Sequence, residues 1–436
     1  MKNIFGFILK DEGDKKRLSK VVLPSIFIHL IAAVIYVFTI LLLTRKLGAR
    51  EYGIFTYSFT CISLIISLLM GGINVMSVRE PPALLSKGQI GLWKGFYLWS
   101  SRFVLLVCII VPLLITTFIL FATHFLHLFK YSPYTLPILF ALAAFPFYSL
   151  TNYYSSWLRG QREPVLSFLP DNIIKPVFFL IILVCFFHFN IWNAIWARDL
   201  SFVASSVFAF IVFRKMTKMD GITAEYDIPA WKTSLKSFFF LTALVSVSSR
   251  LDILMLGFYR DASQVGIYGG ADMIASKIFV FQALMNQIST ASISSLHALK
   301  DKEKLQNMVT KITRGVTIVS IPIFLVIIIF NKWILSFLGP AFINGQSALI
   351  ILCIGQLISI AFGPVGNFAV TTKNEKVSIV FALIRIAIII LLNVILTPIL
   401  GMIGTAIATS VSLVFWNVGM FMTIKKRTGL STWIFG

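Results

Sequence analysis

Twelve apolar runs fill this sequence, at 21–44, 53–77, 96–122, 135–157, 165–189, 191–213, 237–258, 265–290, 312–331, 345–371, 377–397 and 400–423. An α-helix needs about 20 such residues to cross about 30 Å of hydrocarbon at 1.5 Å per residue, and a barrel strand needs about half as many. The runs therefore predict an all-α integral membrane protein with twelve transmembrane helices. A composition of 58% hydrophobic and 13% charged residues excludes a pair of soluble domains. Lys15, Lys16, Arg17 and Lys20 precede the first run as in a signal peptide, but Val21 to Thr44 is too long for a cleaved segment and reads as the first membrane helix.

The formal charge of +21 is not arranged as a nucleic-acid surface. Basic residues sit in short clusters between the runs and not on a separate polar domain, which argues against a nucleic-acid partner. With the N-terminus placed in the cytoplasm, the inside segments hold 26 basic residues, among them those of Lys2 to Lys20, Arg214 to Lys236 and Lys425 to Arg427. The outside loops hold six, Arg45, Lys46, Arg50, Lys130, Arg260 and Lys332. That asymmetry follows the positive-inside rule and predicts both termini cytoplasmic.

The chain also carries an internal repeat. Ala49-Arg50-Glu51-Tyr52-Gly53-Ile54-Phe55 aligns with Ala262-Ser263-Gln264-Val265-Gly266-Ile267-Tyr268, half a chain later, and each stretch joins two apolar runs. Such internal symmetry is a transporter trait. Six helices per half is an even number, so both halves enter the membrane in the same direction. The expectation is two six-helix bundles related by a pseudo-twofold along the membrane normal, with cargo between them. Arg214 to Lys236, the longest internal polar segment, falls at the midpoint and sets the expected lobes at 1–218 and 219–436. Pro112, Pro137, Pro146, Pro170, Pro176, Pro322 and Gly363-Pro364-Val365-Gly366 mark bends, either ordinary kinks or breaks that line a cavity.

Charges inside the runs are the candidate functional groups, because a charge at mid-bilayer costs about 2.5 to 3.5 kcal/mol on insertion scales and normally faces a partner or a pathway. Arg102, Lys175, Arg198, Arg250, Lys277 and Arg385 stand against Asp171, Asp199, Asp252 and Asp272, a cationic balance. Asp171 and Lys175 are spaced i,i+4 and can pair on one helix face. Arg102 lies nearer the inside surface, within snorkelling reach. Arg198 with Asp199, and Arg250 with Asp252, project to different faces, so each side chain must find another helix or water. Interhelix salt bridges to Asp252 or Asp272 are one reading. Coupling of protons or ions by Asp199, Asp252 and Asp272 is another.

The remaining special residues are less directive. His29 in the first run suits either packing or a proton relay, while His124, His127 and His188 are spaced too loosely for a metal site. Cys61, Cys108, Cys185 and Cys353 lie in apolar runs without a Cys-x-x-Cys pair and read as buried structural thiols. No Gly-x-x-x-x-Gly-Lys-Ser/Thr loop and no catalytic constellation is present, so neither ATP hydrolysis, nor an enzyme, nor a cofactor is expected.

Thr44 to Tyr57, TRKLGAREYGIFTY, resembles the leucine-glycine-x-x-x-tyrosine-glycine loop after the first helix of bacterial polysaccharide flippases of the Wzx type, through Leu47-Gly48 and Tyr52-Gly53. Leu158 to Arg162, Arg250 to Tyr268, Phe337 to Phe342 and Thr397 to Ala408 resemble further stretches of that family in order, so the likeness spans nearly the whole chain. The family, O-antigen flippases included, belongs to the multidrug, oligosaccharidyl-lipid and polysaccharide exporter superfamily. The resemblance implies two six-helix bundles in a V around a central cavity. It also implies secondary transport of a polyprenyl-pyrophosphate-linked oligosaccharide repeat unit across the bacterial cytoplasmic membrane, for O-antigen, capsule or exopolysaccharide synthesis. The implied partners are that lipid-linked oligosaccharide, membrane lipids, and a polymerase or other polysaccharide-assembly proteins.

Under the resemblance, Arg250, Arg385, Arg198 and Lys277 would line a cationic cavity and hold the pyrophosphate, since a guanidinium offers paired donors to phosphate oxygens. Asp252, Asp272 and Asp199 would be coupling groups or charge partners. Asn152-Tyr153-Tyr154 and Trp157 would stack on sugar rings or form an interfacial belt. Two rivals remain open. An ion-coupled multidrug exporter of the same superfamily wants an acidic cavity, and a polytopic enzyme of lipid-linked sugar assembly wants a sizeable polar loop with catalytic carboxylates.

Overall fold

A computed structural model describes residues 23–125, 132–161, 163–185, 190–217, 219, 221–299, 301–372 and 374–435. Lys2 to Lys20, His127, Lys130, Arg162, His188, Lys300 and Lys373 lie outside the described residues, as does the side chain of His29. The described residues form helices, turns and connections, with no strand among them.

The first helix, α1 (Leu23–Ser86), has 64 residues, about 96 Å at 1.5 Å per residue and far more than one crossing. It breaks at Gly48, where φ is 72° and ψ is 175°. The expected first and second spans are thus its two arms, 23–47 and 49–86, with no loop between them. Arg45, Lys46, Ala49, Arg50 and Glu51 are tolerant of helix, and only the glycine takes the positive φ that turns the chain without strain.

There follow α2 (Ile90–His124), α3 (Thr135–Ala141), α4 (Phe145–Gly160), α5 (Pro164–Leu169), α6 (Lys175–Cys185), α7 (Ile191–Met216) and α8 (Ile228–Ser248). The rest comprises α9 (Leu251–Tyr259), α10 (Ala262–Ala275), α11 (Val280–Ala298), α12 (Lys302–Ile329), α13 (Asn331–Leu338), α14 (Gln346–Ala361), α15 (Val365–Thr371), α16 (Glu375–Leu400) and α17 (Met402–Thr428). Among the described residues nine helical stretches are long and apolar enough to cross a membrane, or ten if α8 and α9, bent by 49°, make one span. Some of the expected runs therefore differ in form from separate, continuous helices. Two runs fuse in α1, and the run at 265–290 is cut by a 3-10 turn at Ser276–Phe279.

Two compact units result, one of residues 23–47 and 54–247, the other of 48–53 and 248–435. In the first unit α7 packs against α4 and α6. Its buried face mixes small Ala194, Ala197, Ser201 and Ala209 with Phe202 and Phe213, so the backbones come close without an apolar driving force between helices. Trp157 is fully buried among Phe96, Tyr97 and Phe213 at centroid distances of 5.6, 5.4 and 5.8 Å. Tyr153, also fully buried, meets Ser100 Oγ at 2.7 Å. Neither residue forms an interfacial belt or a sugar platform, because α2 and α7 cover that face of α4.

The expected linker is short and docked. Its ends belong to α7 and α8, and between them Glu225 N donates to Gly91 O at 3.0 Å and Lys94 Nζ to Ile222 O at 2.8 Å. Outward faces are apolar, as along Leu105, Ile109, Leu113 and Phe118 of α2, where hydrocarbon replaces a protein partner. Cys108 and Cys353 are buried as expected, but Cys185 at the end of α6 is exposed.

Candidate functional site

The second unit contains a cavity of about 360 Å³. Its walls come from the start of α9 (Asp252), from α10 (Asp272), α11 (Gln282, Asn286), the α14–α15 break, α16 (Arg385) and α17 (Thr409, Trp416, Asn417).

The break is written in the local sequence. Pro364 has no N–H to continue α14, and Gly363 adopts φ 73°. A side chain at Gly363 would stand 2.3 Å from Thr313 Oγ1 and 2.4 Å from Thr432 O, so the turn needs glycine for its angle and for its space. Beyond it α15 presents Asn367, which accepts from Thr290 Oγ1 at 3.1 Å and donates to Asn286 O at 3.2 Å, tying α15 to α11. Asn417 Nδ2 donates to Ser359 Oγ at 2.8 Å and ties α17 to α14.

Three charged groups face this cavity. Asp252, 7% exposed, accepts from Ile253 N at 2.8 Å and from Tyr268 Oη at 2.9 Å, and Tyr268 Oη lies 3.2 Å from Thr409 Oγ1. Asp272 opens onto the same space. Arg385 enters from α16, and its Nε is buried without a partner. Among the described residues no ion pair within 4.0 Å joins Arg250 or Arg385 to Asp252 or Asp272. The lining therefore holds two carboxylates and one guanidinium, each with capacity for a further partner.

The other candidates lie elsewhere. Arg250 is exposed at the bend between α8 and α9, and Lys277 is half-buried in the 3-10 turn after α10. Neither lines the cavity. Arg198 belongs to the first unit, where Phe179, Phe202 and Phe59 box its guanidinium at 5.1, 5.3 and 5.9 Å. Its Nε is buried without a partner, and so are both oxygens of neighbouring Asp199. Lys175 pairs with Asp171 at 2.7 Å along one helix face. No group of three or more metal-ligating side chains occurs among the described residues.

Charge alone missed half of the site. Gln282, Asn286, Gln356, Asn367 and Asn417 line the cavity with Trp416, and the available signal was the recurrence of amides inside otherwise apolar runs, as at Gln282 and Asn286, one helical turn apart.

Known proteins share this architecture. A family model described as Polysaccharide biosynthesis protein matches residues 18–293, and one described as MatE matches residues 238–399. The probable flippase AglR of Haloferax volcanii is 28% identical over 188 residues, 41% of this chain. The chain spans 38% of that relative's length. A multidrug resistance MATE family transporter of the MOP superfamily, in an inward-facing conformation, superposes with a TM-score of 0.73 at 13% identity, over 91% of this chain and 94% of that one. The lipid II flippase MurJ, in an inward closed conformation, superposes with a TM-score of 0.71 at 16% identity, over 93% and 87%. At such identities the likeness is one of fold.

Proposed function

The chain belongs to the polysaccharide biosynthesis protein family, and on that premise we infer that it flips a polyprenyl-pyrophosphate-linked oligosaccharide repeat unit from the inner to the outer leaflet of the cell membrane. The observation that carries this reading is the polar cavity among membrane-spanning helices, with Arg385, Asp252 and Asp272 on its wall. Charges at that depth are expensive, and a pathway for polar cargo or a coupling ion is the usual reason to keep them. Transport is secondary and proceeds by alternating access, with both termini in the cytoplasm. Within the cavity Arg385 supplies cationic donors for the pyrophosphate, and Asp252 and Asp272 couple an ion or balance charge. Arg250 and Lys277, outside the cavity, and Arg198 and Asp199, in the other unit, are separate candidates for the same two roles. A polymerase or another assembly protein receives the flipped unit.

Deletion of the gene tests the reading. Loss of surface polysaccharide with accumulation of lipid-linked repeat units is expected, and complementation by Arg250→Glu or Arg385→Gln at normal protein level should restore little. Full restoration by a variant would remove that arginine from the binding role.

One observation favours a second reading. Two carboxylates against one guanidinium in the cavity suit a cationic drug as cargo. Unchanged polysaccharide together with accumulation of cationic dyes in the deletion strain would decide for a multidrug exporter.

A further inference from the structure

The cavity of the second unit is larger than a bare cation needs. A cation is caged by oxygens at roughly 2.3 to 2.6 Å, whereas about 360 Å³ is the space of a small-molecule pocket. Its polar lining is mostly uncharged. Gln282, Asn286, Asn367 and Asn417 are amides, and an amide both donates and accepts, as a sugar hydroxyl does. Asp252 and Asp272 add acceptors and Arg385 adds donors.

Two buried atoms call for an occupant. Gln282 is 2% exposed and its Oε1 has no partner, and Nε of Arg385 is likewise unspent. Buried polar atoms in native proteins are otherwise paired. Trp416 supplies an apolar face, and its indole is admitted by Gly366, where a side chain would stand 2.7 Å from Trp416 Cη2.

We propose that this cavity is a subsite for one neutral pyranose ring of the carried glycan, with Gln282, Asn286 and Asn367 reading its hydroxyls and Trp416 lying against its C–H face. The proposal rests on the flippase reading and deepens it, since it makes the second unit a reader of sugar identity.

The test uses the purified full-length protein and free glucose, galactose, mannose, rhamnose, N-acetylglucosamine and N-acetylgalactosamine, titrated at millimolar concentration and followed by calorimetry. Saturable binding of one or more is expected, weakened about tenfold by loss of one polar partner in Gln282→Leu. Gly366→Ala, which displaces the indole, should weaken it as well, and Gln282→Asn serves as a second variant if Gln282→Leu does not fold. No binding by the parent, or binding indifferent to all three substitutions, overturns the subsite. So does protection of the parent by sodium ions alone, abolished in Asp272→Asn, which would make this an ion site.

Proteoliposomes carrying polyprenyl-pyrophosphate-linked glycans separate the two levels. If the parent flips them and Gln282→Leu flips the same set with unchanged preference, the subsite fails and the flippase stands. If the parent binds a sugar and flips no lipid-linked glycan, the flippase reading fails and the sugar site stands.

Discussion

Gly53 and Gly266 pack backbone against backbone. A methyl group on Gly53 would stand 1.7 Å from the carbonyl oxygen of Ala262, and one on Gly266 would stand 2.0 Å from that of Ala49. The contact is reciprocal, and it joins the two glycines, and the two alanines, that the half-chain repeat aligns. Equivalent pieces meeting through one reciprocal contact are what a two-fold operation produces, and glycine lets membrane helices approach this closely. Tyr52 seals the crossing with its edge against Phe342 at 5.9 Å.

Gly53→Ala and Gly266→Ala should each cost about 3 kcal/mol, the upper end of overpacking, because the obstructing atoms are backbone and cannot rotate away. Both substitutions open the same crossing, so the double variant should lose less than the sum of the two. Thermal melting in detergent measures this, and single variants that melt with the parent would refute the close crossing.

The C-terminal residues strap the cavity's broken helix. Thr313 Oγ1 donates to Thr432 O at 3.0 Å, Arg314 Nε to Ile434 O at 2.9 Å, and Trp433 stacks on Phe362 at 6.0 Å. Trp433→Ala should lower stability by about 1 kcal/mol, the worth of such a ring pair. Gly363→Ala should cost more, since it meets Thr313 and Thr432 and also forces a positive φ on a residue with a Cβ. The rank order of melting temperatures tests the strap.

Asp199 is 5% exposed and neither of its oxygens has a partner. A group kept at such a cost is one whose removal stabilises. Asp199→Leu, of similar size and with no polar atom to leave unpaired, should raise stability by about 1 kcal/mol while flipping falls, if the carboxylate couples transport. Stability and proteoliposome flux measured on the same preparation check both halves; a less stable variant would mean the carboxylate has a structural partner.

Asp301 caps α12, accepting from Lys304 Nζ at 2.6 Å and from Lys304 N at 3.1 Å. The side-chain hydrogen bond first, then the backbone one, holds its carboxyl below the usual aspartate value. The unfolded chain therefore takes up this proton at higher pH than the folded one. The stabilisation is complete above the ordinary aspartate range and is lost as pH falls through the lowered folded value. Hydrogen exchange in the first turn of α12 should quicken, beyond its intrinsic pH dependence, on acidification of the parent. In Asp301→Asn that extra response should be absent.

What the sequence determined by itself is local. Run length and hydropathy dictated membrane-spanning helices, because each helix satisfies its own backbone and meets lipid one side chain at a time. The i,i+4 spacing of Asp171 and Lys175 was enough to pair them, and the repeat was legible because Gly53 and Gly266 sit in matching contexts. Gly363-Pro364 announced its break for the same reason. Tertiary structure decided which distant groups share a space. Asp252, Asp272 and Arg385 reach one cavity from three helices, Arg198 finds a box of three phenylalanines, and Gln282 is left with an unspent acceptor. None of these follows from spacing, because a helix direction and a bend such as the one before Asp252 set where a side chain arrives. The same holds for α1, whose arms are joined or separated by the single dihedral of Gly48 and not by the composition on either side of it.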